Sequence, residues 1–108
     1  MKKSRPFEEY LIKKLEDSEY AKIYLETALE AYETDRDSDA FLLALRDVAE
    51  AQGGLGKLAK ETKLNRAGVY KALSERGNPR LDTMEKILHN LGFRLSIETL
   101  QSVEEKVH

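Results

Sequence analysis

At 108 residues, 41 % hydrophobic and 35 % charged against the ~25 % charge usual for globular chains, the sequence describes one soluble, helix-leaning domain and excludes a two-domain enzyme. It has no Cys and only two distant His, His89 and His108, which leaves no disulfide, thiolate site, cysteine nucleophile or histidine metal cluster, so no cofactor is expected. The net charge of −2 hides an asymmetry: residues 1–53 carry 8 Lys and Arg against 13 Asp and Glu, a balance of −5, whereas residues 54–108 carry 10 against 7, a balance of +3. Such a division suggests a polyanion-facing half joined to something else.

The opening Met1 to Pro6 leads into Glu8 and Glu9, where an export signal needs an apolar stretch. No run approaches the ~18 apolar residues of a membrane helix. The expectation is a protein neither exported by that route nor embedded, at home in a reducing cytoplasm. Phe7, Tyr10, Leu11 and Leu15 predict a short amphipathic helix behind Pro6, and Asp17-Ser18 offers a stop and a new N-cap. From Ser18, the residues Tyr20, Ala21, Ile23, Tyr24, Leu25, Ala28, Leu29 and Tyr32 form a stripe wider than one core face needs, so this helix is expected to touch two partners. The acidic run Glu33–Asp39 breaks the chain, and Ser38 or Asp39 can cap a third helix with the face Phe41, Ala44, Leu45, Val48 and Ala49. Gln52-Gly53-Gly54 supplies its C-cap.

Leu55, Leu58, Ala59 and Thr62 predict a two-turn helix, Lys63-Leu64 a turn, and Asn65 the N-cap of a helix whose inward face is Val69, Ala72 and Leu73. Gly77-Asn78-Pro79 breaks the chain again. Asp82 and Glu85 resemble a capping box, ahead of a buried stripe of Leu81, Met84, Ile87, Leu88 and Leu91 that Gly92 closes. Phe93, Leu95, Ile97 and Thr99 alternate with polar residues and predict a strand, although no second strand is available to pair with it. Residues 101–108 read as a frayed tail.

The chemistry sits between Leu58 and Leu73. Two short helices joined by a three- to four-residue turn, with small Ala59 where they approach and apolar Leu58, Leu64, Val69 and Leu73, match a helix-turn-helix, although Lys63 occupies a turn position where Gly is more usual. With Val69 in the core, a rotation of about 100° per residue turns Ala67, Lys71 and Ser74 outward and places Tyr70 on a flank. Arg66 projects from the first turn behind Asn65, where free amides can also donate to phosphate. Arg66 and Lys71 suit guanine edges, Tyr70 a phosphate or a thymine methyl, and Ala67 a close approach. Gly68 reads equally as a tolerated helix glycine or as room for DNA. Lys57, Arg76, Asn78 and Arg80 are placed to hold backbone phosphate. Residues 63–80 carry five bases against Glu75 alone, which reinforces this reading. No carboxylate or His is tied by spacing to a nucleophile, metal or phosphate loop, so an enzyme is not expected.

The stretch from Leu55 to Ile97, with Leu58-Ala59, Leu64-Asn65-Arg66, Tyr70-Lys71-Ala72-Leu73-Ser74, Gly77-Asn78-Pro79 and Leu91-Gly92-Phe93-Arg94-Leu95, resembles the HigA-like addiction-module antidotes, antitoxins of the Xre/lambda-repressor-type helix-turn-helix class. Glu9-Tyr10-Leu11, Tyr24 to Glu30 and Phe41 to Ala49 are similar to that family's leader, so the likeness covers about residues 7–98. The resemblance implies a toxin of the RelE/HigB type, a small ribosome-dependent mRNA endonuclease, and repression of the antitoxin's own operon. Such a toxin is normally cationic, and the acidic half with the wide stripe, Tyr20, Tyr24 and Tyr32 foremost, is the expected toxin-binding surface. A stand-alone prophage-type repressor without a toxin is the alternative. Either reading expects a homodimer on double-stranded operator DNA, because paired half-sites ~34 Å apart remedy the weak binding of one recognition helix.

The expected fold is all-α: a five- to six-helix bundle with a lambda-repressor-like helix-turn-helix and one short C-terminal strand. Its expected parts are a helical segment over 1–52, a DNA-binding region over 53–98 and a flexible tail over 99–108.

Overall fold

The computed structural model describes residues 6–74 and 76–100, the side chains of Pro6 and Phe7 excepted. Six helices follow one another: α1 (Pro6–Lys14), α2 (Ser18–Asp35), α3 (Asp39–Ala51), α4 (Leu55–Thr62), α5 (Arg66–Ala72) and α6 (Leu81–Asn90). Local chemistry sets most of their ends. The Asp17 carboxylate accepts from the Glu19 amide at 2.9 Å and starts α2. Gly53 and Gly54 take φ of 118° and 100°, which lets the Gly54 amide fold back on the Ala49 carbonyl at 2.8 Å and turn the chain from α3 into α4. Gly92, at φ 100°, closes α6 in the same way, with the Phe93 amide donating to Leu88 O at 2.8 Å.

The helix α3 is the hub of the first half and α4 that of the second: α3 packs on α1, α2 and α4, while α4 packs on α5 and α6. Their shared core is built on Leu15, Leu45, Val48, Leu55, Val69, Leu73 and Ile87, all fully buried. No described polar or charged residue is buried, so the core carries no desolvated charge that needs a partner. The small residues Ala44, Ala49 and Ala59, also buried, allow close helix approach.

Four expectations need correction. Phe93–Thr99 forms no strand; among the described residues there is no β-structure at all. Alternation supplies a two-faced segment but no second strand to satisfy its backbone, and Ile97 and Leu100 stand 96 % and 80 % exposed. The Asp82–Glu85 box also fails as the start of α6. Arg80 occupies the N-cap position without a side-chain cap, and Asp82, already in the first turn, accepts from the Thr83 amide at 2.8 Å. Leu81 belongs by spacing to the buried stripe yet is 74 % exposed, because it lies on the opening turn of α6, whose first fully buried residue is Ile87. Similarly, Ser38 holds the N-cap position of α3 without a side-chain bond, while Asp37 accepts from the Asp39 amide at 3.0 Å. The side chain of Phe7 and the tail over 101–108 lie outside the described residues. Among the described residues, no helix is long and apolar enough to cross a membrane.

Candidate nucleic-acid interface

The turn between α4 and α5 is held at both ends. Thr62 Oγ1 donates to Leu58 O at 2.7 Å, and Lys63 adopts the left-handed conformation (φ 62°) that ends α4, the position where the sequence analysis noted Lys in place of Gly. Asn65 Oδ1 then accepts from the Gly68 amide at 3.1 Å and starts α5 as an N-cap. Val69, Ala72 and Leu73 face the core, so α5 presents Arg66, Ala67, Gly68, Tyr70 and Lys71 to solvent.

The outward residues divide into two groups. On one flank the Arg66 guanidinium lies 5.5 Å from the centre of the Tyr70 ring and donates to the Tyr70 hydroxyl at 3.4 Å, a cation–π pair one turn apart. Gly56 of α4 lies close beneath this guanidinium; a Cβ built there sits 3.8 Å from it. On the other flank a hollow runs between α5 and the segment that follows it. Asn65, Gly68 and Lys71 form one wall, and Ser74, Arg76 and Asn78 form the other. Six expected DNA-binding residues therefore share one concavity, while Arg66 and Tyr70 stand on the opposite flank.

The wall formed by Ser74, Arg76 and Asn78 is fixed at three points. Ser74 Oγ donates to Lys71 O at 2.7 Å. A Cβ on Gly77 would fall 2.3 Å from Ala72 O, so any other residue forces this tight return from α5 to shift. Arg76 takes a left-handed conformation (φ 64°), and its amide donates to Asp39 Oδ1 at 2.8 Å, which anchors the segment to the start of α3. Sequence reasoning missed Asp39, since a contact across 37 residues leaves no local pattern. Lys63, counted in the basic run 63–80, has an exposed side chain that adds a cation to the turn.

Two expected phosphate holders have contacts of their own. Lys57 Nζ donates to Gln52 O at 3.2 Å and faces Glu61 at 3.9 Å, so it folds back on the α3–α4 turn. Arg80 Nε lies 3.5 Å from Asp82 Oδ1 in a highly exposed pair, which constrains it little.

The three tyrosines of the acidic half are not brought together. Tyr20 and Tyr24 line a groove between α2 and α3, whereas Tyr32 lines a separate hollow with Phe41 and Pro79. Tyr24 is committed internally: its hydroxyl donates to Asp47 Oδ2 at 2.7 Å. Burial, with the adjacent Asp47, pushes the Tyr24 phenol well above its ordinary range. Burial also raises Asp47; the hydrogen bond from Tyr24 opposes that rise, while Glu8 and Glu50 add to it.

Residues 6–99 match a family model described as "Probable addiction module antidote protein". The chain is also similar to a Haemophilus influenzae protein described as "Uncharacterized protein", with 30 % identity over 84 residues that cover 78 % of this chain and 81 % of the relative. No solved structure matches the chain.

Proposed function

The chain belongs to the addiction-module antidote family, and from that premise we propose that it is a DNA-binding antitoxin of the HigA-like, Xre/lambda-repressor type. In this reading α4 and α5 form a helix-turn-helix, and a homodimer represses its own operon by placing α5 of each copy in the major groove. The cognate toxin is a RelE/HigB-like mRNA endonuclease, neutralised in the cytoplasm by direct binding; the antitoxin itself catalyses nothing.

The observation that carries the DNA-binding reading is the exposed face of α5. Arg66, Ala67, Gly68, Tyr70 and Lys71 are all turned to solvent, beside the exposed Arg76, Asn78 and Arg80. Such a face has the components of groove recognition. Arg66 and Lys71 donate to base edges, the small Ala67 and Gly68 permit close contact, and the flanking bases meet phosphates. The Tyr70 ring beneath Arg66 limits the guanidinium's freedom before DNA arrives, which lowers the ordering cost of binding. The hollow beside Lys71 is open to a phosphate, with Arg76 and Asn78 across it.

Fluorescence anisotropy of the DNA upstream of the chain's own gene tests this at two salt concentrations. The wild type is expected to bind that DNA in preference to a scrambled duplex and to weaken as salt rises, while Arg66→Ala/Lys71→Ala loses the preference. Equal affinity for both duplexes overturns autorepression. Co-expression with the neighbouring small gene tests the antitoxin role: relief of toxicity and a stable complex are expected, and failure of both overturns it.

A further inference from the structure

The second half of the chain turns charge outward, but the first half turns outward something a monomer does not need. Of the α2 stripe, only Ala21 and Leu25 are buried. Ile23 is 60 % exposed and Leu43, across the groove on α3, is 57 % exposed. The groove between them is lined by the small side chains Ala28, Ala40 and Ala44, which lets another backbone approach closely. Tyr24 and Leu43 also line a second cleft, between α1 and α3, so the two form one continuous surface. That second cleft carries five carboxylates, from Glu8, Glu9, Glu16, Asp47 and Glu50, against Lys13 alone.

We propose that this α1–α2–α3 surface is the docking site for the cationic toxin, which lays an amphipathic segment across it with apolar side chains in the α2–α3 groove and Lys or Arg over the α1–α3 carboxylates. The inference rests on the antitoxin reading above and specifies its second surface. Charge complementarity selects the occupant: an RNA-cleaving partner is cationic, and a cleft with this excess of carboxylates repels nucleic acid. Burial is the main cause that raises Asp47, and Glu8 and Glu50 add to it against Tyr24 and Arg46, so an arriving cation stabilises its carboxylate. The surface also shares no residue with the α5 hollow, so toxin and DNA can be held at once. Of the three tyrosines expected from sequence, Tyr20 and Tyr24 belong to this surface and Tyr32 does not.

The test uses the full-length chain, with the purified product of the neighbouring small gene as probe and binding measured by calorimetry at low and high salt. Leu43→Asp is expected to weaken toxin binding by roughly 30-fold or more, the loss typical of a central apolar anchor. Glu16→Lys/Glu50→Lys, both exposed, is expected to weaken toxin binding at low salt and remove its salt dependence. Both variants are expected to keep wild-type anisotropy on the upstream DNA, a readout that shows they fold. Wild-type toxin affinity in both variants overturns the surface while leaving the antitoxin reading intact. A wild-type chain that neither binds the probe nor relieves its toxicity overturns the antitoxin reading, and this surface with it. If Leu43→Asp instead turns a dimer into a monomer by sedimentation, the surface is a contact between two copies and the proposal is wrong.

Discussion

The two halves of the bundle solve the same folding problem with opposite surpluses. In residues 6–51, the helices, of which α2 and α3 are the longest in the fold, leave Tyr20, Ile23, Leu29 and Leu43 on the surface among carboxylates. In residues 55–91, short helices bury nearly all their apolar material, with Tyr70 and Leu81 as the large exceptions, and their exposed face is basic. A fold needs a core but sets few demands on its surface, so the difference between these surfaces reports on partners. The halves are nevertheless joined by the α3–α4 packing, by Gln52 Nε2 donating to Leu91 O at 2.9 Å, and by Asp39 holding the Arg76 amide.

The largest expected effect breaks the joint itself. Leu45 is fully buried in the hub helix α3, so Leu45→Ala should cost about 2–5 kcal/mol and lower the stability of both halves in one cooperative urea transition. Two separated transitions would show that the halves fold independently. A smaller disruption confined to the basic half is expected from Gly77→Ala. The new Cβ drives against Ala72 O, so the return from α5 must shift, at about 1–3 kcal/mol, and DNA affinity should fall with it. Thermal melts and anisotropy check the pair of effects.

Gly68→Ala separates stability from recognition. A Cβ there meets only Asn65 Cβ, at an ordinary 3.8 Å, so the fold should gain up to about 1 kcal/mol of helix propensity. If the glycine makes room for DNA, operator affinity falls even as the melting temperature rises. Unchanged affinity would mean the glycine is merely tolerated.

The smallest effect belongs to the acidic half. Because Asp47 is raised in the folded chain, its contribution to stability is fully present below the ordinary carboxylate range and is lost as pH rises through the folded value. Tyr24 is raised too, so its contribution holds below the ordinary phenol range and is lost above it. Asp47→Asn should therefore gain on the wild type as pH increases through the acid range, then hold a constant difference up to the phenol range. Urea midpoints across pH follow this, and a difference that shrinks with rising pH would contradict the assigned cause.

Much of this was legible in local chemistry. Asn65 announces the start of α5, Gly53-Gly54 and Gly92 announce ends, and the spacing of Val69, Ala72 and Leu73 identifies the inward face of α5. What local pattern could not convey was how far each helix overhangs its neighbours. Leu81 has the right spacing for burial but lies on the opening turn of α6, and the alternating Phe93–Thr99 has no strand to bond with. Contacts between distant residues were equally silent: Asp39 with the Arg76 amide, and Tyr24 with Asp47. The candidate site residues were named from spacing and charge, but their division into an Arg66–Tyr70 flank and a hollow that includes Asn65 and Asn78 depends on where Ser74, Arg76 and Asn78 come to lie.

The central claim is that one small bundle carries two separate partner surfaces, and backbone amide NMR of the full chain tests it most directly. Titration with the upstream DNA is expected to shift amides of α5, its preceding turn and residues 74–80, and subsequent addition of the toxin to shift those of α1, α2 and α3 while the first set stays bound. Shifts from DNA centred on α1 and α2, or toxin shifts centred on α5, would contradict it.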